Sequence, residues 1–138
     1  MTALTKDTNR TYELGNINEL PVLGGAIIYQ GAAVGGNPSG YAESLQISDL
    51  FLGFAEDHCD NSVGSDGEKN IRVRRKGAVL LEIPEVTLAD LGKSVYATDD
   101  NGFTLSSGYV YIGTISRIDS SGVALVEFSA TMLPPVAA

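Results

Sequence analysis

His58 and Cys59 are the only histidine and the only cysteine of the chain, and they are neighbours. Glu56, Asp57 and Asp60 flank them. Imidazole, thiol and carboxylates together are the material of a metal centre or an activated thiol. The spacing argues against both. A structural zinc site takes four ligands, usually as paired cysteines or histidines, and there is no second pair to complete it. A thiol nucleophile needs an imidazole within hydrogen-bond reach, yet residues adjacent on an extended chain point to opposite sides. His58 is therefore read as a surface loop residue, with Cys59 either exposed or turned inward. The same stretch supplies Asp60, Asn61, Ser65, Asp66 and Glu68 as oxygen donors, but not in the D-x-[DN]-x-[DN]-G order of a calcium loop. The residues leave a cation in the 57–69 loop open and assign no metal and no cofactor.

Other chemistry finds no support. "GGAIIYQGAAVGG" (24–36) is glycine-rich but has no lysine and no helix to follow, so it is no phosphate cradle. A sole histidine removes the usual Ser-His-Asp arrangement. No catalytic residue is assigned, and the chain is not expected to be an enzyme. One basic cluster stands out: Lys69, Arg72, Arg74, Arg75 and Lys76 are five of nine basic residues. Arg72, Arg74 and Lys76 share one parity and are expected to project from one strand face. No aromatics interleave with them as a single-strand platform requires, and the net charge of −8 repels nucleic acid. The row is read as a protein-contact strand, or as paired with acidic neighbours.

The elements that hold these residues read as strands. In "NIRVRRKGAVLLEI" (70–83), Ile71, Val73, Val79, Leu81 and Ile83 alternate with Arg72, Arg74, Lys76 and Glu82, which predicts one strand with a bulge or bend at Gly77. "YVYIGTISRI" (109–118) and "VALVEFSA" (123–130) predict a hairpin through "DSSG" (119–122). Ala124, Val126, Phe128 and Ala130 form its uncharged face. Asn101-Gly102 signals a second hairpin. "AIIYQGAAV" (26–34) reads as a strand broken at Gly31, "GGNPSGY" (35–41) as a turn, and "TLADLG" (87–92) as one helical turn capped by Thr87. "SLQISDLFLGFAE" (44–56) is ambiguous, with a helical turn at Ser48-Asp49 or a buried strand from Phe51 to Ala55.

With 138 residues, sixteen glycines and no tryptophan, the chain fits one turn-rich all-β domain. The expectation is a small β-barrel or β-sandwich, jelly-roll- or tulip-like, over residues 21–138, with residues 1–20 as an extended N-terminal arm. Leu4, Tyr12, Leu14, Ile17 and Leu20 dot that arm without a period. No apolar run approaches the about 20 residues that span a bilayer, and the N-terminus has no apolar signal core, so a cytoplasmic product without a membrane partner is expected.

"DNSVGSDGEKNIRVRRKGAVLLEI" (60–83) followed by "LGKSVYATDDNGFTLSSGYVYIGTISRIDSSGVALVEF" (91–128) resembles the cement, or head-decoration, proteins of tailed bacteriophages and prophages. The likeness lies in the order of a V-R-R-x-G-type strand, a V-Y-x-x-D-D segment, a G-x-I/V strand and a terminal V-x-V/F strand. It covers residues 24–130 as an order of segments and 60–130 more closely. The longer arm and the 44–69 stretch depart from it. The resemblance implies a virion protein on the capsid exterior, made in the host bacterial cytoplasm. It would bridge major capsid subunits as a homo-oligomer, a trimer ahead of a dimer. Leu4, Arg10, Tyr12, Leu14 and Ile17 are then the expected capsid contacts. Two other readings stay open: another β-structured virion part, such as a tail or fibre-base protein, and a small ligand-binding β-barrel.

Overall fold

The computed structural model describes residues 3–11 and 13–130. Twelve strands follow one another in these residues: β1 (Ile17–Pro21), β2 (Ile27–Ile28), β3 (Ala33–Gly36), β4 (Ala42–Ser44), β5 (Leu50–Ala55), β6 (Cys59–Asp60), β7 (Asn70–Arg74), β8 (Lys76–Glu82), β9 (Ser94–Ala97), β10 (Phe103–Thr104), β11 (Val110–Ser120) and β12 (Val123–Ser129). A single 3-10 turn, Leu88–Asp90, sits between β8 and β9, where the backbone N–H of Thr87 donates to Asp90 Oδ2 at 2.8 Å. The fold is all-β, as the composition and alternation predict.

The strands form two five-stranded sheets with the orders β1-β7-β5-β3-β4 and β10-β9-β11-β12-β8, plus a two-stranded ribbon of β2 and β6. All strand pairs are antiparallel. Neither sheet closes on itself, so the barrel half of the expectation gives way to two open, facing sheets. Phenylalanines seal them together. Phe54 of the first sheet lies edge-on to Phe128 of the second at 4.9 Å between ring centres, with Phe51 and Phe103 beside them. Around these rings pack Leu81, Ile83, Val95, Ile112, Ile115 and Val126. A second apolar cluster, with Val22, Ile28, Val34, Ile71 and Val73, lies apart from these rings and takes in Cys59. In the middle of the first sheet, neighbouring residues of one strand go to different clusters: Ala33 and Phe54 to the first, Val34 and Ala55 to the second. Both faces are covered there.

Two expectations change. The 70–83 stretch is two strands in different sheets, not one with a bulge. Its register ends at Arg74 against Ile17 in the first sheet and resumes at Lys76 against Ser129 in the second. Gly77, at φ +147°, follows the crossing. The arm is shorter than residues 1–20, because Ile17 to Leu20 are already in β1 and pair with β7. Their half-buried side chains at 17 and 20 hold that edge to the body. Asn101-Gly102 does belong to a hairpin. Ala97 pairs with Phe103 and Thr98 N–H bonds to Gly102 O at 2.8 Å, closing a loop over 98–102. The β11–β12 hairpin turns through Ser121 and Gly122, with Gly122 at φ +76°, as its composition predicts. Of the 35–41 turn, Gly35 and Gly36 belong to β3. The reversal itself is built by Asn37, whose Oδ1 accepts from the N–H groups of Ser39 and Tyr41.

Candidate functional site

The His58-Cys59 pair resolves by strand alternation. Cys59 lies in β6 opposite Ile28 and is buried in the second apolar cluster. His58 is exposed, with its ring 5.3 Å from that of Tyr29. Burial pushes the Cys59 thiol up, away from the thiolate form a nucleophile needs. The oxygen donors of the following loop are occupied in holding the chain. Hydrogen bonding from the Ser62 side chain, and then from Ser62 N–H to Asp60 Oδ1, holds the Asp60 carboxyl below the usual range. Asp66 Oδ1 accepts from Gly24 N–H at 2.9 Å. Asn61 is fully buried, and its Nδ2 donates to the carbonyls of Val22, Leu23 and Ser65. In the sequence Asn61 reads as one oxygen donor of a loop. Its role as a tie between distant segments was invisible there.

The surface that the arm and the basic strand create is better built. Residues 3–11 and 13–16 carry no strand and are almost wholly exposed, Leu4 at 66% and Leu14 at 94%. Arg10 is exposed among them, and Tyr12 lies outside the described residues. The arm is fixed at its root, where Arg75 N–H bonds to Asn16 O at 2.8 Å and Ile17 begins β1. A cleft of about 580 Å³ opens at this root, lined by Glu13, Leu14, Gly15, Asn16, Ile17 and Arg74. The expected row of three cations does not form, because Lys76 belongs to the other sheet. Arg74 instead forms an ion pair with Glu56, and Arg72 stands opposite Glu19 in the β1–β7 register. Arg72 and Arg74 thus have acidic neighbours within the fold. The structure brings together Leu14, Ile17 and Arg74, and leaves Leu4 and Arg10 out on the arm.

Neither a family model nor a curated protein nor a solved structure matches the chain. The site therefore stands on its own geometry. No described helix is long and apolar enough to cross a membrane. Elsewhere, a cleft of about 520 Å³ is lined by Tyr29, Gln30, Gly31, Ala32, Asp100 and Asn101. Tyr29 is 60% exposed there, so this is an open groove.

One titrating group stands out. Glu43, on β4, has its carboxyl pushed up to about 7 by burial first, then by its hydrogen bond with Asp49 and by that neighbour's charge. Asp49 is itself buried and accepts from Gln46 N–H. Because the folded value lies above the ordinary 4.5, the stability tied to this proton is complete below about 4.5 and is lost as pH rises through 7. Glu43→Gln is expected to stabilise the protein at pH 8 by about 1–2 kcal/mol, after discounting for partial solvent access, and to change little at pH 4. Urea denaturation at both pH values checks it. Equal effects at the two would contradict the paired carboxyl.

Proposed function

We propose that this chain is a capsid decoration protein that binds the outer surface of an expanded phage head and bridges major capsid subunits. The observation that carries the reading is the arm. Residues 3–11 and 13–16 run up to β1 almost wholly exposed, dotted with apolar side chains and tied at their base to a rigid β-body. Such a segment gains its order on a partner, and it can add a strand or insert apolar anchors there. The ordered segments of 60–130, which resemble those of cement proteins, point the same way. Leu4, Arg10, Tyr12, Leu14 and Ile17 make the shell contact in this reading, with Ile17 also serving as the hinge to the body. The partner is protein, not nucleic acid or lipid, and the location is the virion exterior after synthesis in the bacterial host. Many symmetric copies turn modest contacts into slow release through avidity.

Co-sedimentation with shells assembled from the major capsid protein of the same genome tests this. Saturable binding to expanded shells, with none to unexpanded ones, is the expected result. No binding to either form, or recovery of the protein on tails, would move it to another part of the virion. Deleting residues 2–14 spares β1 and is expected to abolish shell binding while leaving the thermal midpoint within about 2 °C of the full chain. Retained binding would show that the arm is not the contact.

A further inference from the structure

Among the described residues the longest open edge is β8, and nothing in the capsid reading uses it. Of the four edge strands of the two five-stranded sheets, β10 has two residues, β4 is joined along its length to the 22–27 segment by Leu23 N–H to Ala42 O and Ser44 Oγ to Ile27 O, and β1 has five residues ending in proline. β8 runs for seven residues, Lys-Gly-Ala-Val-Leu-Leu-Glu. Its bonds to β12 are fixed in phase by Ile83 N–H to Gly122 O at one end and Ala130 N–H to Arg75 O at the other. Odd-numbered residues therefore bond to β12. Lys76, Ala78, Leu80 and Glu82 direct their N–H and C=O groups outward from the sheet, where no partner is found among the described residues.

Such a row of free backbone groups is a template for another strand unless charges or bulges blunt it. Here the charges sit only at the two ends, with opposite sign, and five uncharged residues lie between them. We infer that β8 pairs antiparallel with β8 of a second copy about a two-fold axis at Val79. This register is self-complementary. It sets each Lys76 beside the partner copy's Glu82, and each Ala78 beside the partner copy's Leu80. All four outward-bonding residues meet outward-bonding residues, so the ladder is complete, and Val79 faces its own copy as a non-hydrogen-bonded pair. A shift by two residues in either direction would lose both ion pairs.

The side chains fit this arrangement. Leu80, 50% exposed in the single chain, already lies beside Leu125 across β12 and would be covered from its free side. Next to the edge runs a groove of about 270 Å³ where Phe54, Ala78, Val79 and Phe128 face the inward-pointing residues of the second strand, with Gln30 and the Glu56–Arg74 ion pair also in its lining. Gly77 presents no side chain over the Phe128 ring, so the partner copy's Leu81 has room opposite it. The contact is isologous and closes on itself, giving a dimer with a continuous ten-stranded sheet and no further growth. The inference does not depend on the capsid reading.

Sedimentation velocity of the full chain at concentrations from about 1 to 100 μM reads the assembly. A dimer is expected. Lys76→Glu should weaken it by about tenfold or more, because two like-charge pairs replace two ion pairs, and Lys76→Glu with Glu82→Lys should restore it. Val79→Cys should form an interchain disulfide under mild oxidation, since non-hydrogen-bonded pairs hold their Cα atoms about 4.5 Å apart, while Cys59 stays buried. A monomer throughout would overturn the inference, as would a trimer, or a dimer insensitive to Lys76→Glu that yields no Val79→Cys crosslink. A monomer that dimerises only when the chain is cut after Ala130 would instead assign the edge to residues 131–138.

Discussion

Gly53→Ala is expected to destabilise the protein by about 4 kcal/mol and to lower its thermal midpoint by more than about 10 °C. Gly53 sits in β5 at φ +122°, a conformation that side chains with a Cβ avoid. A methyl built there would overlap the carbonyl oxygen of Arg74 and come within 2.9 Å of Val73 Cγ1. The obstruction is backbone, so no side-chain rotation relieves it. It also falls on the narrowest seam of the first sheet. β5 and β7 pair only at Phe54 with Arg74 and Ala55 with Val73, reinforced by Glu56 N–H to Arg72 O. Through that seam β7 carries β1 and the root of the arm. Forcing it open would loosen the arm's anchorage, so under the proposed function shell binding should weaken together with stability. Gly40→Ala is the control. Its φ of +89° carries a similar backbone penalty but the space around it is open, so about 1–2 kcal/mol is expected. Denaturant unfolding of both variants separates clash from backbone strain, and equal losses would show that the close approach of β7 adds nothing.

What the sequence disclosed follows from which faces are covered. β12 was legible because only one face of it packs, and Ala124, Val126, Phe128 and Ala130 are all buried while Glu127 is exposed. β5 was ambiguous for the opposite reason. With Phe51 and Phe54 in one apolar cluster and Ala55 in the other, alternation between wet and dry vanishes from the residue types. The 70–83 stretch shows a subtler limit. Its parity survives the passage from one sheet to the other, since Ile71, Val73, Leu81 and Ile83 are all buried. Parity reports which side of a strand is dry, not which sheet the strand belongs to. The cationic row failed on the same point: Lys76 keeps the parity of Arg72 and Arg74 but not their sheet. The arm's end is hidden in the sequence because β1, "INELP", has two half-buried residues, three apart, and an edge position. Its pairing is decided by β7, some fifty residues away.

The loop that first suggested a cation site gives the sharpest test of what its residues do. Asn61→Asp is expected to cost about 4 kcal/mol or more at neutral pH, although it changes the side chain's shape hardly at all. The amide orientation is set by its surroundings. Nδ2 faces three carbonyl oxygens, of Val22, Leu23 and Ser65, at 3.0–3.2 Å, two of them 38 and 39 residues away along the chain. An aspartate would present acceptor to acceptor at every one of those contacts, in a site with no exposure. The other amide atom, Oδ1, is buried without a hydrogen-bond partner and lies against Gly64, where any Cβ would overlap it. The introduced carboxyl would thus be desolvated and surrounded by oxygen, which raises its pKa. Stability lost at pH 7 should return in part as pH falls toward 4, when the protonated acid regains one donor. A cation ligand would behave the other way. Were Oδ1 part of a calcium site with Glu68, the added charge would strengthen binding, and millimolar calcium would rescue the variant at pH 7. Unfolding curves of Asn61→Asp at pH 4 and 7, with calcium and with a chelator, distinguish the two. Recovery by acid alone identifies Asn61 as the tie that holds the loop to residues 22–23, and recovery by calcium alone would make it a ligand.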